Sequence, residues 1–530
     1  MKNTILLICI LLLGISLRVY NLNFPSIGYH NMKENESLSI AQEMARTKNF
    51  IQKRVYFFNA FQKDAAVKDD PQPPLVSYQI LLAWKMFGEN LWSPRLFNVL
   101  FAILGIVVMY LAGCRLFQDK RLALFGAFLL SIMPLAVFFS RNLQPESPAF
   151  FFMLLGHLFY FRFLDTRKLT NLLVGGLAMV LAWAYKFEFI IGILPFAFCL
   201  PYKSLSDDRK GFLKFLFAAL VPFAGILGIM ACVRLSGLGT FLYTFKPFEV
   251  LTPSYWKAYG RTILWYAAGE NFTFPLSLLA TWGVFLAFFM HKSFLDRYLI
   301  GWAAAVVIHA MLFSSSLAHN SYAQMPFSAA VVFSCIHVIS FMAREIKGLP
   351  KHQILIVLMI SVGAFSIFPV YYSLSRMYAT VFLGQDVAGE TLKEFSAPDE
   401  RIFLFSHAQG YAIARYAHRY AGWPKSLEEF KEKEKEYGIR FVCIYPGEYL
   451  EYLRKGHPDI FEYIESHYRI KEVGLQELPS RLGYLILERG PPAGIKIGDA
   501  LKSVSGKVQP RSIYKILGKY IFYYALRPES

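Results

Sequence analysis

Eleven stretches of this chain are apolar over lengths that approach the thickness of a bilayer. A helix needs about 20 mostly apolar residues to cross the hydrocarbon core. Such runs occupy 4–20, 96–113, 122–139, 148–164, 171–185, 189–201, 213–233, 274–290, 298–315, 323–343 and 353–373. In lipid every backbone N–H and C=O must be satisfied within the protein, so a chain with this pattern has to form a bundle of membrane-crossing helices. Two stretches depart from the ideal. The 189–201 run is short and holds Pro195, which kinks or halves it, while 75–87 is apolar but suits an interface or a cavity. The first run follows a basic start, as a signal peptide does. No small-residue cleavage site follows it, so it reads as an uncleaved anchor.

Composition agrees and adds a division. Hydrophobic residues make up 55% of the 530 and charged residues 17%, against about 25% charged in ordinary soluble domains. An average soluble enzyme, a disordered chain and a fibrous protein are excluded. Residues 1–373 carry 32 Lys and Arg with 17 Asp and Glu, whereas 374–530 carry 23 and 20 in less than half the length. The sequence therefore predicts an α-helical polytopic membrane domain, 1–373, and a soluble domain, 374–530. Most of the net charge of +18 lies in the membrane part, where topology accounts for it. No nucleic-acid module is present, so no nucleic-acid partner is expected. The six cysteines form no CxxC pair and give neither a disulfide framework nor a zinc site.

Orientation follows from Lys and Arg in the short loops. With residue 1 inside, the inside loops collect basic pairs and triplets such as Arg115, Lys120 and Arg121, or Arg344, Lys347 and Lys351. The short outside turns hold only Arg141 and Lys186. Eleven crossings then put the soluble domain outside the cytosol, together with two long loops, 21–95 and 234–273. In the soluble domain, strand-like runs (Arg401–Ser406, Arg440–Tyr445, Tyr484–Glu488) alternate with helix-like runs (Tyr411–Tyr420, Leu427–Tyr437, Tyr449–Arg454), the pattern of a small α/β domain. The end, Ser512–Leu526, mixes Lys515 and Lys519 with apolar residues. It reads as a segment lying along a membrane surface or as an amphipathic helix packed on its own domain.

Ionisable groups at membrane depth are costly and mark function by default. Several fall on the predicted outside. Lys33-Glu34-Asn35-Glu36 follows the first span, and Glu36 and Glu43 suit a helix in the loop. A carboxylate here can serve as general base, or can simply favour a solvated helix N-terminus. Asp69-Asp70 precede a Pro-rich entry to the next apolar run and fit a cation or a plain loop. Arg141 and Glu146 share one tight turn, where the Arg suits a phosphate or pairs within the turn. Lys186, beside Glu188, either snorkels or binds an anion. His319 and Tyr322 open the tenth run.

In order, these segments resemble the GT-C-fold glycosyltransferases that use lipid-phosphate sugars, as in the lipid A aminoarabinose transferase and protein O-mannosyltransferase family. Leu38-Ser39-Ile40-Ala41-Gln42-Glu43-Met44 is similar to the family's Tyr-Ala-x-Ile-Ala-x-Glu-Met, which sets Glu34 at its acidic pair. Gln72-Pro73-Pro74-Leu75 resembles its Lys/His-Pro-Pro-Leu. Phe87-Gly88 through Arg95-Leu96, Arg141 to Glu146, Gly176-Leu177-Ala178 through Lys186, and His319 to Tyr322 with Pro326 resemble four further motifs. The resemblance covers about 1–345. Three positions depart from it: Lys33 stands for Asp, Gln72 for Lys or His, and Glu146 for Asp.

The resemblance implies transfer of a sugar from a polyprenyl-phosphate donor to a lipid, glycan or protein acceptor on the extracytoplasmic face of the cell membrane, with inversion. It implies that Arg141 and Lys186 meet the phosphate and that Lys33 adds charge there. Glu146, His319 and Tyr322 line the substrate site. Glu34 acts as base, with Glu36 in reserve. A divalent metal near Asp70 is compatible with the family and not required by it, and the outer domain would select the acceptor. The rival classes are a transporter or lipid-handling protein and an inactive member of the family. A transporter built from repeats would show internal symmetry, which this sequence lacks. An oligosaccharyltransferase-like enzyme would carry Trp-Trp-Asp-Tyr-Gly, which is absent.

Overall fold

All eleven apolar runs are helical, wholly or in part, in the computed structural model, which describes residues 2–57, 61, 72–200, 202, 209–235, 248–291, 293–406, 410–477, 481–491, 497 and 509–527. Among the described residues seven helices are long and apolar enough to cross a membrane, or up to eight if one bent pair is a single span. The expected count near eleven is not reached by that measure, and the reasons are local. The 122–139 run is split at Met133, where Pro134 opens a new short helix. The 171–185 and 189–201 runs fall in the shorter helices Leu169–Tyr185 and Phe187–Phe198. The bent pair, Pro253–Asn271 and Phe274–Met290, turns by 108°. The turn follows a π-helical stretch, Trp265–Asn271, and puts Thr273 at a φ of 70°.

The chain divides into two compact units, Met1–Asn23 with Asp70–Leu374, and Phe24–Asp69 with Ser375–Ser530. The segment Phe24–Asp69, read from the sequence as part of a loop of the membrane domain, thus belongs to the unit that holds the C-terminal sheet. In the first unit, Glu146–Thr166 and Ser321–Glu345 are the most enclosed spans, with 67% and 78% of their apolar windows buried. Lys351–Ala379 instead turns Ile360, Phe365 and Phe368 outward, as a lipid-facing helix does. Phe274–Met290 approaches Ser328–Glu345 backbone to backbone at Gly283, where a Cβ would lie 2.3 Å from the Ser334 carbonyl oxygen.

The second unit is built on a seven-stranded sheet of order β2-β1-β3-β5-β4-β7-β6. The strands are β1 (Ile402–Ser406), β2 (Ala421–Gly422), β3 (Phe441–Tyr445), β4 (Tyr468–Gln476), β5 (Arg481–Arg489), β6 (Ser512–Ile516) and β7 (Lys519–Leu526). Strands β1, β2 and β3 run parallel and the other pairs antiparallel. Alternation along β1 sends Ile402 and Leu404 to one core and Phe403 and Phe405 to the other. A strand covered on both faces is expected to be apolar throughout, as β3 is and as β1 is up to Ser406. The first core also takes Tyr56, Phe57 and the helices Gln385–Phe395 and Tyr411–Ala417. Ser512–Leu526 is not a helix. It is the β6–β7 hairpin, closed by Leu517 and Gly518, both at positive φ.

Candidate functional site

In the first unit, four short elements bring one lysine against two carboxylates. Glu146 is the first residue of Glu146–Thr166, directly after Pro145. Lys186 follows Leu169–Tyr185 in an extended conformation, and Glu188 lies in the 3-10 turn Phe187–Ile193. The Lys186 Nζ donates to Glu146 Oε1 at 2.7 Å and lies 3.2 Å from Glu188 Oε2. It also sits 4.4 Å from the centre of the Tyr322 ring, which comes from the 3-10 segment Ser321–Phe327. All four residues are buried. Among the described residues Glu146 Oε2 has no hydrogen-bond partner. A buried lysine that faces two carboxylates is more than neutralised, and the spare carboxylate oxygen can accept a hydroxyl or N–H from a ligand.

The other residues predicted for this unit stand differently. Arg141 is buried and its Nη2 donates to the Asn21 carbonyl at 3.1 Å. His319 is exposed, its Nδ1 is 2.8 Å from the Ser315 carbonyl and its ring is 5.1 Å from that of Tyr259. The predicted residues Glu146, Lys186 and Tyr322 therefore come together, and Glu188 joins them. A buried histidine of the same unit, His309, was not singled out by the sequence. It is a single polar residue within an apolar run, and such a residue gives no distinguishing signal.

In the second unit, the helix Asn31–Thr47 carries Lys33, Glu34 and Glu36. Glu34, Asn35 and Glu36 are buried. Lys33, whose side chain is 44% exposed, is 3.3 Å from Glu36 Oε2, so its charge is already answered within the helix. Glu43, at the other end, accepts from Arg46 at 2.8 and 2.7 Å and from the Tyr420 hydroxyl at 2.6 Å. Burial pushes the Glu43 carboxyl up, but the hydrogen bonds from Arg46, Tyr420 and Tyr56 together hold it below its usual range. Asn35 Oδ1 accepts from Arg415 at 2.6 Å, and Asn31 donates to Gln385 at 2.9 Å. Arg415, Gln385 and Tyr420 lie more than 350 positions further along the chain. No local pattern announces them.

The predicted metal residue, Asp70, lies outside the described residues. Among the described residues no group of three or more His, Cys, Asp or Glu is arranged to hold a metal ion.

Comparison with known proteins bears on the fold. The sequence model of the dolichyl-phosphate-mannose-protein mannosyltransferase family matches residues 71–234. The crystal structure of ArnT from Cupriavidus metallidurans in the apo state superposes with a TM-score of 0.58 at 13% identity, over 93% of this chain and 100% of that one. The same protein bound to undecaprenyl phosphate gives 0.52 at 14%, over 92% and 99%. An uncharacterized protein of Aquifex aeolicus (strain VF5) is 28% identical over 97 residues, which spans 18% of this chain and 19% of that relative's length. The chain thus has a GT-C-like fold, and its resemblance to the GT-C glycosyltransferases rests on that fold together with the family match.

Proposed function

We propose that this protein transfers a sugar from a polyprenyl-phosphate donor to an acceptor on the extracytoplasmic face of the membrane. One observation carries the reading: Glu146, Lys186 and Tyr322, three residues that the family resemblance assigns to the substrate site, form a buried charged cluster at the ends of apolar helices. Burying such charge is expensive, and packing alone does not call for it. The fold shared with ArnT supports a lipid-linked sugar donor.

In this scheme Arg141 and Lys186 hold the donor phosphate, and the phosphate takes a share of Lys186 from its two carboxylates. Glu146 and Tyr322 fix the lysine head group meanwhile. The acceptor oxygen or nitrogen attacks the anomeric carbon as the bond from that carbon to the phosphate oxygen breaks. The electron pair leaves with polyprenyl phosphate, and the acceptor's proton passes to a carboxylate base, the role that the family resemblance gives to Glu34. A single displacement inverts the anomeric centre. Glu36, paired with Lys33 on the same helix, is the carboxylate held in reserve for that role.

The test uses the full-length protein in nanodiscs with undecaprenyl-phosphate aminoarabinose, mannose and arabinose, each offered with lipid, glycan and peptide acceptors, following release of undecaprenyl phosphate. Turnover with at least one donor, lost in Glu34→Gln and in Arg141→Ala, is the expected result. Turnover retained in Glu34→Gln moves the base elsewhere. Binding of undecaprenyl phosphate with no turnover on any donor identifies a lipid-handling or inactive protein instead.

A further inference from the structure

Two arginines of the second unit are buried, and only one of them serves its own surroundings. Arg419 donates to the carbonyls of Ala417, His418 and Ser396 and to the Ser396 hydroxyl. It caps the ends of Gln385–Phe395 and Tyr411–Ala417, where free carbonyls gather and a cation is favoured. Arg415 does something else. From Tyr411–Ala417 its Nε donates 2.6 Å to Asn35 Oδ1 and its Nη2 donates 2.8 Å to Ser26 Oγ. Ser26 Oγ in turn donates to Asn35 Oδ1 at 2.8 Å, and the Asn35 amide donates to the Ser26 and Asn31 carbonyls. Among the described residues every hydrogen-bond partner of Arg415 is a neutral oxygen, and the ring of Tyr416 lies 3.6 Å from its guanidinium carbon. A buried cation with neutral partners is costly to keep, so its planar fork must supply something that a smaller tie would not.

What it supplies is the setting of one helix. Asn35 lies one residue from Glu34, and neighbouring residues on an α-helix are about 100° apart around its axis. Fixing the Asn35 side chain therefore fixes the direction in which Glu34 projects. Two further ties hold the same helix, Asn31 to Gln385 near its start and Glu43 to Tyr420 near its end. We infer that Arg415 is a positioning residue for the helix Asn31–Thr47, which places the outer domain within the machinery that aims Glu34. The inference rests on the assignment of Glu34 as base.

The experiment compares full-length wild type with Arg415→Ala, Arg415→Lys, Asn35→Ala and Glu34→Gln in nanodiscs. It reads backbone hydrogen exchange and, with the undecaprenyl-phosphate sugars named above, kcat and KM. In Arg415→Ala and Asn35→Ala the amides of residues 31–39 should exchange at least tenfold faster while those of β1 and β3 are unchanged. Turnover should fall at least tenfold with KM for the donor within twofold, and Arg415→Lys should recover part of both. Unchanged exchange at 31–39 overturns the inference, as does exchange that rises equally in β1 and β3, which would make Arg415 a general support of the fold. Glu34→Gln separates the two readings. If it keeps turnover, the base assignment fails, and the exchange of 31–39 still decides whether Arg415 holds the helix.

Discussion

Glu43 and Asp386 are both buried carboxylates of the second unit, and their neighbours give them opposite responses to pH. Glu43 is held below its usual range because the bonds from Arg46, Tyr420 and Tyr56 outweigh burial. A carboxyl with a depressed folded value contributes stability above its unfolded value, near 4.5, and loses it as the pH falls through the folded one. Glu43→Gln should therefore lower stability at pH 7 by about 1–3 kcal/mol, with the difference from wild type closing toward acid. Asp386 receives the Tyr514 hydroxyl, but burial dominates and pushes it up to about 6. Its contribution is complete below about 3.8 and is lost as the pH rises through 6. Asp386→Asn keeps an acceptor for Tyr514 and should remove that loss, worth at most about 3 kcal/mol at pH 7. Unfolding followed between pH 4 and 8 checks both, and parallel curves for the two variants would contradict them. At this scale the sequence singles out Glu146, Lys186 and Tyr322, because each stands at the edge of an apolar run. His319 ends the short helix Ser314–His319 and is exposed, while Tyr322 three residues on is buried. The sequence hides Arg415, whose partners are separated from it by 380 and 389 positions.

At the level of elements, the apolar runs are legible because lipid demands length and continuity, whereas their breaks depend on single residues such as Pro134. The contact at Gly283 belongs here. A methyl group there meets the Ser334 backbone, which cannot move as a side chain end can. Gly283→Ala should destabilise the first unit by about 1–3 kcal/mol, read as a lower midpoint in detergent by size-exclusion after heating. The β6–β7 hairpin was the least legible element. Its alternation of Ile513, Tyr514, Lys515 and Ile516 fits a strand, but the Leu517-Gly518 corner lacks the usual turn residue at its first position. Leu517 at a φ of 47° is strained, since a side chain there crowds the carbonyl. Leu517→Asn should stabilise the hairpin by about 1 kcal/mol, because Asn-Gly suits this turn. A lower or unchanged unfolding midpoint would refute that.

For the whole molecule, the excess of Lys and Arg in the short loops expected inside argues for an outer C-terminal domain. A cysteine introduced at exposed Lys519 should react with a membrane-impermeant maleimide in intact cells, and labelling only after lysis would reverse the orientation. The general architecture, apolar helices followed by a mixed sheet, is legible because the two solvents demand different compositions. The assignment of Phe24–Asp69 to the second unit was not, because pairing across such distances leaves no periodic trace.

That assignment sets an order in time. A ribosome makes the helix bearing Glu34 early, then Asp70–Leu374, and only then the strands and helices on which the early segment settles. At roughly 5–20 residues per second, the intervening stretch alone occupies some fifteen seconds to a minute. Through that interval the nascent chain carries its carboxylates without Arg415, Gln385 or Tyr420 to hold them. Any product cut short before residue 411 keeps nearly every motif of the family and lacks the partner that sets Glu34 in place. A stretch synthesised late thereby acts as the licence for one made early.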